Sequence, residues 1–261
     1  MISKLKQWLP TPIITVLKPW WVWLLTLRNK LFNTVPITKS ERNPYIEMQP
    51  LINNDSPVII DGGANRGNMT DQFLNLFKSP IIHAFEPNPQ LVNFLKDKYQ
   101  SSDHMTIHAQ ALGAENAQIT FRINQSDGTS SIYEETEESH QFYGDVMVLK
   151  DEITVPLVRL DAVLDQEIDL IKLDLQGYEL EALKGCGDLL QKTKIVLTEV
   201  EFVPIYKGQP LFADIDIFMR NADFRLFNLY YLSSVQGGQL AFADAVYLNT
   251  RYFASNETVN L

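Results

Sequence analysis

From Ser56 onward, short apolar runs rich in β-branched residues alternate with longer stretches of helical periodicity. Neighbouring parallel strands need a long crossover between them, and a helix is its usual form. The alternation therefore predicts an α/β domain, a doubly wound and mostly parallel sheet with helices on both faces. Residues 58–60, 81–85 and 105–112 read as the first three strands, with helical patterns at 69–77 and 91–99 between them. Residues 169–173 read as a fully buried strand, 178–183 as a helix that Gly185 ends, and 194–199 as the next strand.

Two further extended stretches, 117–123 and 153–160, flank a polar, acidic segment at 124–150. With Glu134, Glu135, Glu137 and Glu138 nearly consecutive and no ligand spacing for a metal, this segment reads as a substrate-facing lid without structure of its own. A helix at 212–221 follows, and the chain closes with an antiparallel hairpin, 224–232 and 245–248, around Gly237 and Gly238.

The 261 residues are ample for one large domain, and no linker divides residues 51–261. A formal net charge of −10 repels a phosphate backbone and argues against a nucleic-acid partner. The single cysteine, Cys186, excludes an intrachain disulfide and a thiol-rich zinc site, and a cytoplasmic location follows. Beside Gly185 and Gly187 it reads as a small buried thiol rather than a nucleophile.

Residues 1–50 differ in character. Trp8, Trp20, Trp21, Trp23 and the cations Lys4, Lys6, Lys18, Arg28, Lys30 and Lys39 all precede the first acid, Glu41. Pro10, Pro12, Lys18 and Pro19 leave 20–27 as the longest clean apolar run, whereas a spanning helix needs about 20 residues. The segment reads equally as a peripheral anchor at the inner face of a membrane and as a helical extension docked on the domain or on a partner subunit. Homo-oligomerisation is open from sequence.

The chemistry concentrates after the first strand, in Asp61-Gly62-Gly63-Ala64-Asn65-Arg66-Gly67. Ligands of open parallel sheets bind beyond the carboxyl ends of the strands, where glycine lets backbone approach them. A phosphate-binding P-loop would need Lys and Ser or Thr where Asn68 and Met69 stand. A dinucleotide fingerprint would need glycine at Ala64, and Asp61 would repel a pyrophosphate. A cationic, phosphate-free ligand such as S-adenosylmethionine suits Asp61 better. Glu86, at the end of the second strand, has the spacing of an acid that accepts from two ribose hydroxyls. Singly, either acid reads as well as a structural cap.

Five ordered motifs, 61–67, Phe85-Glu86-Pro87-Asn88-Pro89, Ala111-Leu112-Gly113, Arg159-Leu160-Asp161 and the run 168–179 containing Lys172-Leu173-Asp174-Leu175-Gln176-Gly177, resemble those of the FkbM family of class I methyltransferases. The likeness covers roughly residues 58–248. It implies a seven-stranded Rossmann-like sheet with a C-terminal antiparallel hairpin, S-adenosylmethionine as cofactor, and O-methylation of a sugar, glycolipid or secondary-metabolite hydroxyl. Carried over by motif, Asp61, Gly63 and Asn65 belong to the methionine end of the cofactor, Glu86 to the ribose, Gln110 and Ala111 to the adenine, and Gly67 is a further cofactor-binding residue. Gln176 stands where many relatives carry Glu, which removes support for a metal there.

Methyl transfer from a sulfonium asks the protein mainly to align the acceptor oxygen and exclude water, with a base to take the proton. Asp174, at a buried strand's end, is a candidate for base and for cofactor contact; Glu199 and the loop histidine His140 are the other candidate bases. Two other classes stay in view: a catalytically silent domain organising a membrane-associated glycan assembly, and a nucleotide-dependent oxidoreductase.

Overall fold

The computed structural model describes residues 43–137, 139, 144–235 and 238–253, so the extension before residue 43 and the candidate base His140 lie outside the described residues. Ten strands run in chain order: β1 (Val58–Gly62), β2 (Ile81–Phe85), β3 (Met105–His108), β4 (Ala111–Leu112), β5 (Ala117–Asn124), β6 (Leu149–Val158), β7 (Ile168–Leu173), β8 (Thr193–Glu201), β9 (Phe224–Ser234) and β10 (Leu240–Asn249). Among the described residues five α-helices accompany them: α1 (Pro44–Ile52), α2 (Asn68–Leu76), α3 (Pro89–Lys98), α4 (Glu179–Lys184) and α5 (Phe212–Asn221).

Seven strands form the main sheet in the order β3-β2-β1-β7-β8-β10-β9. The first five are parallel, and β10 runs antiparallel to both β8 and β9. This is the doubly wound, mostly parallel sheet with a closing hairpin that the alternation and the motif resemblance predicted. Strand order reverses between β1 and β7, which opens a crevice at their carboxyl ends. Every residue of β7 is buried, as a central parallel strand covered on both faces must be.

Helices α4 and α5 cover one face, where Leu183, Ile215 and Met219 pack with Ile171 and Val196. On the other face Tyr45 and Met48 of α1 and Phe73 of α2 meet Ile59, Leu170 and Ile195. Asn43 starts α1 by accepting the Tyr45 N–H at 2.9 Å, and Pro44 occupies the first helical position, where its missing donor costs nothing. Cys186 is buried, its thiol donates to the Ala182 carbonyl at 3.4 Å, and burial pushes it up to about 12, which makes it the inert thiol expected. Among the described residues no helix is long and apolar enough to cross a membrane.

Two sequence expectations need correction. The predicted third strand at 105–112 is two strands, because the chain breaks pairing after His108 and Ala111–Leu112 joins a small second sheet, order β4-β6-β5. The expected lid at 124–150 does face the clefts described below, through Asp127 and Gly128, but it has structure of its own and is tied to the body at several points. Arg122 and Ser131 bridge backbones, Glu135 bridges Tyr206, and the Ser131 hydroxyl donates to the Gln176 carbonyl at 2.7 Å. Its polarity hid this because the fixings are long-range hydrogen bonds rather than apolar contacts.

Candidate active site

The crevice between β1 and β7 is built by two tight backbones. After β1, Gly63 takes a left-handed φ of 73°, and a Cβ there would stand 1.9 Å from the Asp174 carbonyl oxygen, so no other residue lets the two loops approach. The Gly63 and Ala64 N–H groups both donate to the Phe85 carbonyl at 3.0 Å, which ties the loop to the end of β2. Asn65, with φ 50°, donates its N–H to Glu86 Oε2 at 2.8 Å, and Asn88 N–H reaches Oε1 at 2.8 Å. Burial pushes the Glu86 carboxyl up to about 7, against the pull of those two amides.

Gly63, Asn65, Phe85, Glu86, Gln110, Ala111 and Asp174 line one open cleft, which Phe121, Asp127 and Gly128 line as well. Six of the cofactor residues expected from sequence thus meet around one cleft. Two do not. Gly67 lies outside this cleft; its φ of 75° starts α2, its carbonyl accepts from the Tyr99 hydroxyl at 2.9 Å, and a Cβ would collide with that hydroxyl. Glycine there makes room for the Tyr99 hydroxyl.

Asp61 also lies outside it. The carboxylate is wholly buried, accepts the Thr70 hydroxyl at 2.6 Å and stands 3.1 Å from Lys172 Nζ, its register partner on β7. The expectation that Asp61 grips a cationic ligand directly is corrected accordingly, since its charge is already met by an ammonium. Lys172 donates in addition to the Gly62 and Gly63 carbonyls at 3.1 and 3.2 Å. Burial alone would push the ammonium down, but Asp61 and Asp174 hold it above the usual lysine value.

A second, more polar cleft adjoins the first and shares Gly63, Asn65, Asp127, Gly128 and Asp174 with it. Glu199, Asp244, Tyr45 and Tyr231 line it as well. Gln176, φ 54°, spans the junction: its Nε2 donates to Asp174 Oδ1 at 2.8 Å and to Glu199 Oε2 at 3.1 Å, and its Oε1 accepts the Tyr206 hydroxyl at 3.0 Å. Burial, reinforced by Asp174, raises the Glu199 carboxyl well above the usual range. Across the mouth Arg66 pairs with Asp127 at 2.5 Å.

Sequence reasoning missed Lys172, Gln176 as a bridge, and Asp244. For Lys172 a signal existed, since a lysine inside a six-residue run that is otherwise fit for a buried strand must have a partner. Asp244 alternates with apolar residues on β10, and nothing local marks it as facing a cleft.

Burial of so many acids has a consequence for stability. Burial is the main cause that raises Glu86 and Glu179 to about 7 and Asp244 to about 6. A folded-state value above the unfolded one means that the native protein holds more protons, so this stability is full below about 4.5 and lost as pH rises through 6–7. Burial lowers His83 and His108 and opposes this trend below about 6.5, their unfolded value, so the clean window lies above it. Calorimetry of the cofactor-free protein is expected to show a melting temperature roughly 5 °C lower at pH 8 than at pH 6.5. A flat or rising profile there would mean that these acids are hydrated.

Comparison with known proteins agrees with the crevice. Residues 61–226 match the family model described as the methyltransferase FkbM domain. The 2-O-methyltransferase NoeI of Sinorhizobium fredii is 28% identical over 177 residues, covering 64% of this chain and 73% of NoeI. The hexuronic acid methyltransferase AglP of Haloferax volcanii is 26% identical over 150 residues, 56% of each chain. The crystal structure of methyltransferase FkbM from Methylobacillus flagellatus shares the fold at a TM-score of 0.50 and 15% identity, covering 74% of this chain and 44% of that one. The match therefore spans about half the length of AglP and of the Methylobacillus chain. With the family model covering well over half of its residues, the chain belongs to the FkbM family of S-adenosylmethionine-dependent methyltransferases.

Proposed function

We propose that the chain is an O-methyltransferase that binds S-adenosylmethionine over Glu86 and methylates a hydroxyl of a sugar-type acceptor held in the adjoining polar cleft. One observation carries this reading: the two clefts share a wall at Gly63, Asn65 and Asp174, so that ligands in them would meet at a carboxylate. The names of the two relatives, a 2-O-methyltransferase and a hexuronic acid methyltransferase, support acceptors of this class.

The residues fit the cofactor. Glu86 spends one acceptor site per oxygen on the Asn65 and Asn88 amides, and a carboxylate offers about four, which leaves room for two ribose hydroxyls. Gln110 and Ala111, beside Phe85 and Leu112, supply the polar edge and apolar wall that a purine needs. Gly63 keeps the loop flush with Asp174, where any side chain would fill the cradle. Asp61 contributes through Lys172, whose ammonium fixes the Gly62 and Gly63 carbonyls. When bound, the cofactor supplies an electrophilic methyl group on sulfur.

What the chain itself must do is orient the acceptor, exclude water and take a proton. Asp174 is the proton acceptor in this reading, held in place by the Gln176 amide. Burial holds the Glu199 carboxyl well above the usual range, and in this reading it serves as a hydrogen-bonding neighbour of Gln176 rather than as the base. His140 has no part in the proposal.

The reading is tested with methyl-labelled cofactor and a mixture of glycans, the expected product being a labelled methyl ether stable to alkali. Asp174→Asn is expected to cut the rate about 10²-fold, the lower end of general-base contributions, while calorimetry shows S-adenosylhomocysteine still bound. Full turnover by that variant removes Asp174 as the base, and label found only in protein or nucleic acid ends the reading.

A further inference from the structure

The second cleft has a chemistry of its own. Strand β9 carries a bulge at its edge: Tyr230 pairs with Asp244 and Ser233 with Phe242, so Tyr231 and Leu232 together face the single residue Ala243. Tyr231 sits in the left-handed region at φ 49°, a conformation that a bulky aromatic residue adopts only where its surroundings hold it. Bulges re-aim side chains, and strained backbone of this kind gathers at binding sites. Here Tyr230 turns into the core and donates its hydroxyl to Glu47 at 2.7 Å, while its neighbour Tyr231 is half-exposed and lines the cleft with Tyr45.

Charge in the cleft is one-sided. Asp174 and Asp244 line it beside Glu199, whose carboxyl burial holds well above the usual range, and the Asp244 carboxyl accepts no hydrogen bond from the described residues. Two cations touch the same space, and both are engaged. Lys172 donates to the Gly62 and Gly63 carbonyls and is paired with Asp61. Arg66 at the rim is paired with Asp127. A carboxylate entering here would meet like charge and find no free cation among the described residues that line the cleft. A hydroxyl would find an acceptor at Asp244 and amide partners in Asn65, Asn68 and Gln72.

We propose that the bulge at Tyr231 and the carboxylate of Asp244 form an acceptor subsite selective for an uncharged, polyhydroxylated ring, a neutral glycoside, against the matching uronic acid. The apolar face of the ring lies on Tyr231, and its hydroxyls donate to Asp244, with the reacting hydroxyl turned towards Asp174 at the shared wall. This rests on the O-methyltransferase reading above and adds which acceptors that site takes.

The test uses the full chain saturated with S-adenosylhomocysteine and two probe sets, aryl hexopyranosides and the corresponding aryl hexuronides, with binding read by ligand-observed NMR and calorimetry. Neutral hexopyranosides are expected to bind about tenfold tighter than hexuronides or better, the scale of repulsion between charges a few ångström apart in a partly screened site. Asp244→Asn is expected to narrow that gap from the uronide side. Tyr231→Ala is expected to weaken the neutral probes about tenfold and Tyr231→Phe to restore them, with S-adenosylhomocysteine affinity unchanged throughout. Hexuronides that bind as tightly as neutral probes overturn the selectivity and leave sugar methylation standing. If neither set binds while S-adenosylhomocysteine does, the sugar acceptor itself is wrong and both readings fall.

Discussion

Replacing Lys172 by methionine is expected to cost about 3–5 kcal/mol of folding stability, the loss seen when one member of a buried ion pair is removed. The ammonium sits 3.1 Å from Asp61 Oδ1, and among the described residues the carboxylate is otherwise met only by the Thr70 hydroxyl. A methionine would leave that charge in the core without a counter-ion and would orphan the Gly62 and Gly63 carbonyls as well. Urea unfolding should show a lower midpoint with an unchanged slope, the mark of a stability change without a change in exposed surface. Asp61→Asn should cost a similar amount. The double variant, with no charge left to strand, should recover part of the loss, and that non-additivity identifies the pair. Single losses under about 1 kcal/mol would mean that water reaches Asp61.

Asp61 also shows where reading a sequence reaches its limit. A carboxylate at a strand end beside a glycine turn is a sound sign of a site, and the sign was correct about place. The crevice does lie there, and Gly63, Asn65, Glu86, Gln110 and Ala111 do line it. Those residues were legible because each sits at the end of a strand or in the turn after it, and parallel sheets bring such ends together. The partner of Asp61 was not legible, because it lies on another strand and is fixed by the β1–β7 register. Gly67 was misread for a related reason: a left-handed glycine that serves a ligand and one that makes room for a tyrosine hydroxyl look alike in one dimension.

The insertion and the hairpin follow the same logic. Polar residues at 124–137 gave no periodicity, yet single hydrogen bonds such as Ser131 to Gln176 fix the segment from across the fold. The bulge at Tyr231 is a mismatch between two strands and so has no signature in either alone. What pattern supplies is the sheet and the place of its crevice; what it withholds is which side chains in the crevice are already spoken for.

Removing the Glu86 carboxylate is expected to weaken S-adenosylhomocysteine binding by roughly 10²- to 10⁴-fold, since two hydrogen bonds to a charged group contribute about 1.5–3 kcal/mol each. Glu86→Ala tests this by calorimetry, with far-UV circular dichroism to verify folding, because the same carboxylate also holds the Asn65 and Asn88 amides. Glu86→Gln is expected to fare little better, as its amide nitrogen would face one of those N–H groups, donor against donor. The wild-type protein offers a test without substitution. Burial raises Glu86 to about 7, and two hydroxyl donors favour the ionised form, so affinity must rise with pH through that value and then level off. Between pH 8 and pH 6 the dissociation constant should grow about tenfold, one decade for each pH unit below the folded value. Binding at pH 6 should release close to one proton, seen as a buffer-dependent heat, and at pH 8 almost none. A pH-independent affinity with no proton release would place the ribose contact on some other group, and Glu86 would then be only the clamp that its two amides already make it.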